Sequence, residues 1–307
     1  MKRREIAEFL LLAGVWGGSF LFMRVAAPVL GAVWLIELRV LIAGLALMPL
    51  VMRSGLLPEL RDHWLTLFIA GCINSALPFS LLAFASIALP AGFTSILNAT
   101  TPLFGSLVAW IWLKEKTTLP RILGCVVGFV GVLVLMGWQR FSPTPQFGWA
   151  VAAGLLASCL YGVGAPFIKH KLAGISALAV TTGSQLGAAC FLLPLLPFTL
   201  PDAPLSLSVV VSVLGLALLS TAFAYMLYLR LIRSIGSTKT LTVTYWIPFF
   251  AMLWGSLFLD ESINLSMIVG CGLILLGTAI ANDVLAGRHR PLLRGRHASR
   301  AEKTVGS

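Results

Sequence analysis

The sequence predicts an all-α polytopic membrane protein with ten transmembrane helices in two inverted five-helix repeats. Three observations carry this. Of 307 residues, 58% are hydrophobic and 11% charged, and the mean hydropathy is +0.95; a soluble globule uses roughly 25% charged residues to cover its outside. The apolar residues gather into runs of about 20, the length that crosses a hydrocarbon core. Segments from the two halves also superpose when the numbering is shifted by 145 or 146.

The runs lie at 6–23, 30–52, 64–88, 91–113, 119–138, 147–167, 175–198, 208–232, 237–259 and 265–285. The first follows Lys2-Arg3-Arg4, as a signal peptide would, but it has a counterpart later in the chain and reads as a retained span. The second contains Glu37 and Arg39, and the third opens on Trp64. The fourth and ninth carry Pro102 and Pro248 near their middles, where each proline removes a helix hydrogen bond and breaks the helix. The fifth contains Gly124-x-x-x-Gly128 and the seventh Gly183-x-x-x-Gly187, spacings that permit close helix approach, either between repeats or at a homodimer face. Trp34, Trp64, Trp138 and Trp149 fall near span ends, as an interfacial belt does.

Lys and Arg number 22 against 11 Asp and Glu. With the N-terminus in the cytoplasm, all but Arg24, Arg39 and Arg140 fall on the inner side. The positive-inside rule then explains the surplus, without nucleic acid, and puts both termini in the cytoplasm of an inner-membrane protein. The basic segment 287–307 has no apolar period and reads as a disordered, solvated topology anchor beside anionic head groups.

A shift of 146 superposes Pro102, Phe104, Leu107, Leu113, Glu115, Leu119, Ile122, Gly124, Cys125 and Gly131 on Pro248, Phe250, Leu253, Leu259, Glu261, Leu265, Ile268, Gly270, Cys271 and Gly277. A shift of 145 takes Trp16-Gly17, Phe22 and Arg24 to Tyr161-Gly162, Phe167 and Lys169. The repeats are 1–140 and 147–286. Five is odd, so the second enters the membrane from the opposite side, an arrangement suited to alternating access.

Trp16-Gly17 in span one, Arg39 in span two, Pro102 through Glu115, and a second copy around Pro248 and Glu261 together resemble the EamA-type transporters of the drug/metabolite transporter superfamily. The resemblance covers nearly the whole chain. It implies a central substrate cavity and export of small metabolites, amino acids or related compounds among them, and names no substrate. Glu115 and Glu261 are recurrent features of the family pattern, read here as structural anchors or gates.

Arg39 lies about nine residues, ~13 Å, into its span. A charge there costs about 2.5 to 3.5 kcal/mol on insertion scales and must face a partner or water. Glu37 points to a different face of the same helix. The candidates to meet Arg39 are backbone carbonyls, Asn74, Asn98 or Gln185, water, or an anionic substrate group; the alternative role is bracing interrupted helices. Gln185 occupies the repeat-related position. Asn98, Thr101 and Thr244 supply polar groups next to the prolines, and Trp16, Tyr161, Tyr225, Tyr245 and Trp246 lie at mid-depth, where they either line a cavity or pack between helices. Glu37 is about 10 Å from the outer end, as a proton-coupling carboxylate or as one hydrated in an outer vestibule.

The five cysteines form no C-x-x-C pair, the four histidines lie at span ends or in the tail, and nucleotide-loop, zinc-protease and serine-hydrolase motifs are absent. The chain is expected to have no cofactor, no metal and no catalytic residues. Its expected partners are a small-molecule substrate and the lipid bilayer. The competing classes are a non-transporting scaffold or sensor and an enzyme acting on lipid-linked substrates, for which acid/base residues near one interface are few.

Overall fold

The computed structural model describes residues 1–111, 114, 118–137, 145–201 and 204–282. Leu113, Glu115, Trp138, Arg140 and the basic tail lie outside these. The described residues are helical, without strands. Helix α1 runs Arg3–Arg53, α2 Leu57–Asp62, α3 Trp64–Gly71, α4 Leu77–Ala88, α5 Ala91–Asn98, α6 Thr101–Ile111, α7 Leu119–Gly137, α8 Pro145–Lys171 and α9 Ala177–Leu192. The chain continues with α10 Leu207–Leu214, α11 Ala224–Ile235, α12 Ser237–Leu241, α13 Ile247–Leu259 and α14 Leu265–Ala281. Two π-helical segments, Cys72–Ala76 and Gly215–Phe223, join α3 to α4 and α10 to α11.

Among the described residues, seven helices are long and apolar enough to cross a membrane, against the ten spans expected. The differences have local causes. The first two expected spans are both present, as two helical segments of α1 that meet end to end at a non-helical turn at Gly31, where φ is 71° and ψ is 163°. Only glycine adopts that geometry without strain. The fourth span is split at Ala99–Thr100, just before Pro102, and the last, α14, has 17 residues.

The helices approach closely where glycines face each other. Gly124 and Gly131 of α7 meet Gly277 and Gly270 of α14, so the two helices run antiparallel with their backbones in contact. These four glycines are repeat-related, 124 with 270 and 131 with 277, so the contact is its own counterpart. On α9, Gly187 takes the Phe68 main chain of α3 and Gly183 the Leu67 and Leu60 side chains. Gly128 is filled by the Leu103 side chain, so both Gly-x-x-x-Gly pairs are packed inside the chain.

The halves interlock crosswise. A Cβ on Gly17 would lie 2.7 Å from Phe250 Cβ and 3.0 Å from the Ala251 nitrogen; one on Gly162 would lie 2.9 Å from the Gly105 nitrogen and 3.2 Å from Phe104 Cβ. Gly17 and Gly162 correspond, as do Phe104 and Phe250. Each half thus seats its first helix on the broken helix of the other. The largest core cluster follows this crossing, from Phe20 and Met23 through Leu35 and Val40 to Phe79, Ala188, Leu216 and Ala251.

Candidate functional site

Pro78 shapes one wall of the site. It has no N–H to give the Asn74 carbonyl, and its ring crowds that carbonyl; the chain accommodates both by widening into the Cys72–Ala76 π segment. In the Gly215–Phe223 segment, Gly215 passes over the Phe22 ring, where a Cβ would lie 2.7 Å from Phe22 Cζ. There the Thr221 hydroxyl donates to the Leu216 carbonyl at 2.9 Å, five residues back. Ser220 of the same segment donates to the Val15 carbonyl at 3.0 Å, tying it to α1.

Arg39 is buried, and its Nε donates to Thr221 Oγ1 at 3.0 Å. Its guanidinium carbon lies 3.6 Å from the centroid of the Phe79 ring. A hydrogen bond to a charged group is worth about 1.5 to 3 kcal/mol and a cation–π contact about 0.5 to 2, which together offset the insertion cost of the charge. Gln185, also buried, donates from Nε2 to Ser75 Oγ at 3.3 Å, while its Oε1 has no partner. Arg39 and Gln185 are 146 apart, as are Ser75 and Thr221. Each half therefore sends one polar side chain into the π segment of the other.

The aromatic contacts repeat the pattern. Tyr161 meets Phe79 edge-on at 6.2 Å and Trp16 meets Tyr225 edge-on at 6.4 Å, with Tyr228 at 5.3 Å from Trp16. Phe79 corresponds to Tyr225 and Trp16 to Tyr161. The Tyr161 and Tyr225 phenols lie within electrostatic range of the guanidinium and keep part of their surface open. Arg39, Trp16, Tyr161 and Tyr225, four of the sequence candidates, thus form one cluster.

The remaining candidates are placed elsewhere. Asn74 packs against Gly164 of α8. Thr101 and Thr244 donate to the carbonyls of Asn98 and Leu241, 2.8 and 2.9 Å away, capping the ends of α5 and α12. Asn98 keeps a buried Oδ1 with no partner, and Tyr245 ends a short 3-10 turn before Pro248. Both prolines stand second in their helices, so each break falls just before them and costs no helical hydrogen bond. Trp246 is exposed beside Phe249, apart from the Arg39 cluster. Glu37 is only 2% exposed, and its Oε2 is buried with no hydrogen-bond partner among the described residues.

At one end of the bundle, Arg24 Nη1 donates to the carbonyls of Ser86 at 3.0 Å and Ile87 at 2.6 Å, and its Nε lies 3.5 Å from Glu261. Both Glu261 oxygens accept the Ala91 N–H, at 3.1 and 2.9 Å, at the start of α5. Burial pushes the Glu261 carboxyl up, against the pull of the Ala91 N–H and Arg24. At the other end Glu8 pairs with Arg230 at 3.2 Å, and Glu59 accepts the Ser176 N–H at 2.8 Å.

Sequence reasoning did not single out Ser75, Thr221, Phe79 or Tyr228. The 146-residue shift that related Arg39 to Gln185 also relates Ser75 to Thr221 and Phe79 to Tyr225, and extending it to small polar and aromatic residues finds those three, whereas Tyr228 corresponds to Leu82 and carries no such signal. Arg24 and Glu261 each carry a repeat signal, with Lys169 and Glu115 as counterparts, but nothing in the sequence pairs them with each other.

Over residues 5–137 and again over 148–282, the chain matches the model of the EamA-like transporter family. The probable terminal-alkyne amino-acid exporter of Streptantibioticus cattleyicolor is 26% identical over 299 residues, covering 94% of this chain and 97% of its own. Protein PecM of Dickeya dadantii is 25% identical over 292 residues, covering 92% and 93%. An uncharacterized transporter of Archaeoglobus fulgidus is 22% identical over 268 residues, covering 86% and 94%. A solved crystal structure at 19% identity superposes with a TM-score of 0.64, covering 94% of this chain and all of its own, a likeness of fold. With two matched segments that take in most of its length, the chain belongs to the EamA-like transporter family, within the drug/metabolite transporter superfamily.

Proposed function

We propose that the protein is a secondary transporter that exports small organic metabolites, amino acids or related compounds, by alternating access. It would cross the cell membrane ten times, as two inverted repeats over 1–140 and 147–286, with both termini in the cytoplasm. The observation that carries this reading is the crossed pair of hydrogen bonds, Arg39 to Thr221 and Gln185 to Ser75, at the junction of the two halves. Two halves that meet through equivalent contacts can exchange arrangements and so expose one central site to either side. Arg39 is the anchor for an acidic group of the substrate, and Trp16, Tyr161 and Tyr225 take its apolar body. Gln185, Asn74, Asn98, Thr101, Thr244 and Tyr245 are secondary polar candidates beside that path. The amino-acid class draws support from the exporter named among the relatives.

Proteoliposomes should show saturable flux of at least one member of an amino-acid and metabolite panel. Trp16→Ala and Tyr161→Ala, each reconstituted at wild-type yield, should lower that flux about tenfold, as expected when a desolvated aromatic contact worth about 1 to 1.5 kcal/mol is lost. Absence of flux across the whole panel would sink the transporter reading; unchanged flux in both variants would remove the aromatics from the site.

Arg24, Glu261 and Ala91 join the two repeats at one end, and this junction is the outer lock. Separating the repeats there requires Glu261 to release both partners. Glu261→Gln loses the ion pair, and in a two-state equilibrium a loss of 1 to 2 kcal/mol shifts the ratio by about 5- to 30-fold. Ser80 lies on α4 between Phe79 and the Ser86 carbonyl that Arg24 holds, with its hydroxyl buried; a cysteine placed there by Ser80→Cys in a cysteine-free background should then be labelled by an external impermeant thiol reagent at least about fivefold faster. Equal labelling rates would show that the ion pair does not hold this end shut.

A further inference from the structure

One buried acid has no role in the substrate site. Glu37 lies six residues beyond the Gly31 turn, is 2% exposed, and has an Oε2 with no hydrogen-bond partner. Among the described residues, the elements packed on this helix offer it no counter-charge. The ranges of α4, α5, α10, α13 and the Gly215–Phe223 segment contain no ionisable side chain, and α9 contains only Cys190, which is exposed. The Cys72–Ala76 segment adds Cys72, and the Thr242–Tyr245 turn adds Tyr245. On α11, Tyr225 faces Arg39, Tyr228 packs on Trp16, Arg230 is held by Glu8, and Arg233 is exposed. Arg39, two residues along, is turned to Thr221 and Phe79, and Arg24 and Glu261 are held by each other.

An ionised carboxylate with an oxygen buried and unpaired carries a desolvation penalty that no partner offsets, whereas a protonated carboxyl carries only that of a neutral polar group. We propose that Glu37 is a proton-binding site that couples substrate movement at Arg39 to the proton gradient. The inference rests on the transporter reading above. In the sealed arrangement Glu37 holds one proton as –COOH; when the helices part and water reaches it, the O–H bond breaks heterolytically, leaving –COO⁻ and passing one proton to water. One proton is then exchanged for each substrate molecule exported.

The wild type in proteoliposomes should accumulate substrate against its gradient by about tenfold per unit of pH difference, the limit for one proton per substrate. Glu37→Gln, neutral and nearly isosteric, should lose accumulation entirely yet keep substrate-for-substrate exchange, which needs no net proton movement. Glu37→Asp should retain a gradient response. A second readout needs no substrate: infrared spectroscopy of the purified protein at neutral pH should show the C=O stretch of a protonated carboxyl, missing in Glu37→Gln. Gradient-driven accumulation by Glu37→Gln at the wild-type level would overturn the proposal, as would a wild-type exchanger that ignores the gradient, or the absence of the infrared band. A protein that moves no substrate under any condition would instead defeat the transporter reading, and the infrared band would still decide whether Glu37 holds a proton.

Discussion

Arg39→Ala is expected to weaken substrate binding by roughly 10- to 100-fold, the factor that corresponds to losing a charge-assisted bond of about 1.5 to 3 kcal/mol. The Nε–H is committed to Thr221 and one face of the guanidinium to Phe79, which fixes the plane of the group and leaves its outer nitrogens to meet a ligand. Arg39→Lys should not restore affinity, because an ammonium cannot hold the Thr221 bond, stack flat on Phe79 and present a fork to a carboxylate at once. Affinity measured calorimetrically in detergent, beside thermal stability, separates recognition from bracing. Thr221→Val removes the brace and keeps the charge, so it should lower stability more than affinity. The opposite ranking, with Arg39→Ala binding as wild type, would make Arg39 a structural brace.

Gly277→Val should destabilise the protein by at least about 1 to 3 kcal/mol, or prevent accumulation of folded protein altogether. A Cβ at position 277 runs into the backbone of Gly124 and Gly128, and a Cβ at position 270 would meet the Gly131 carbonyl at 3.0 Å. A side chain can rotate away from an intruder, but here the obstacle is main chain, so α7 and α14 must separate along their length. In lipid, helix association depends on this kind of close van der Waals packing rather than on a hydrophobic drive. Gly272 is on the same helix with nothing within 4 Å of an added Cβ. Gly272→Ala should therefore leave thermal stability within about 1 kcal/mol of wild type or raise it slightly. Equal unfolding temperatures for Gly277→Val and Gly272→Ala would show that the glycine contact does not hold the halves together.

How far the sequence reaches can be judged from single residues. Arg39 was legible because a cation deep in an apolar run is costly and must be used. Pro102 and Pro248 marked the breaks, since a missing N–H and a fixed φ act locally whatever surrounds them. Gly31 was not legible: glycine is frequent in membrane helices, and only the backbone geometry shows that this one turns the chain between two apolar runs. Trp246 shares its depth with Tyr245 yet is exposed, because depth along the chain does not say which side of a helix is packed.

By itself, then, the sequence determined the membrane as solvent, the two related halves and the residues too costly to be there without use, because hydrophobicity, helix breaking and repetition are properties of the chain alone. The tertiary structure decided which of those residues meet. That Arg39 reaches Thr221 and Gln185 reaches Ser75, that the glycine pairs close the chain on itself, and that the Glu37 Oε2 finds no partner among the described residues all depend on helices brought together from distant parts of the chain. Such pairings follow from the rotation and register of packed helices, which the local pattern of any one helix does not contain.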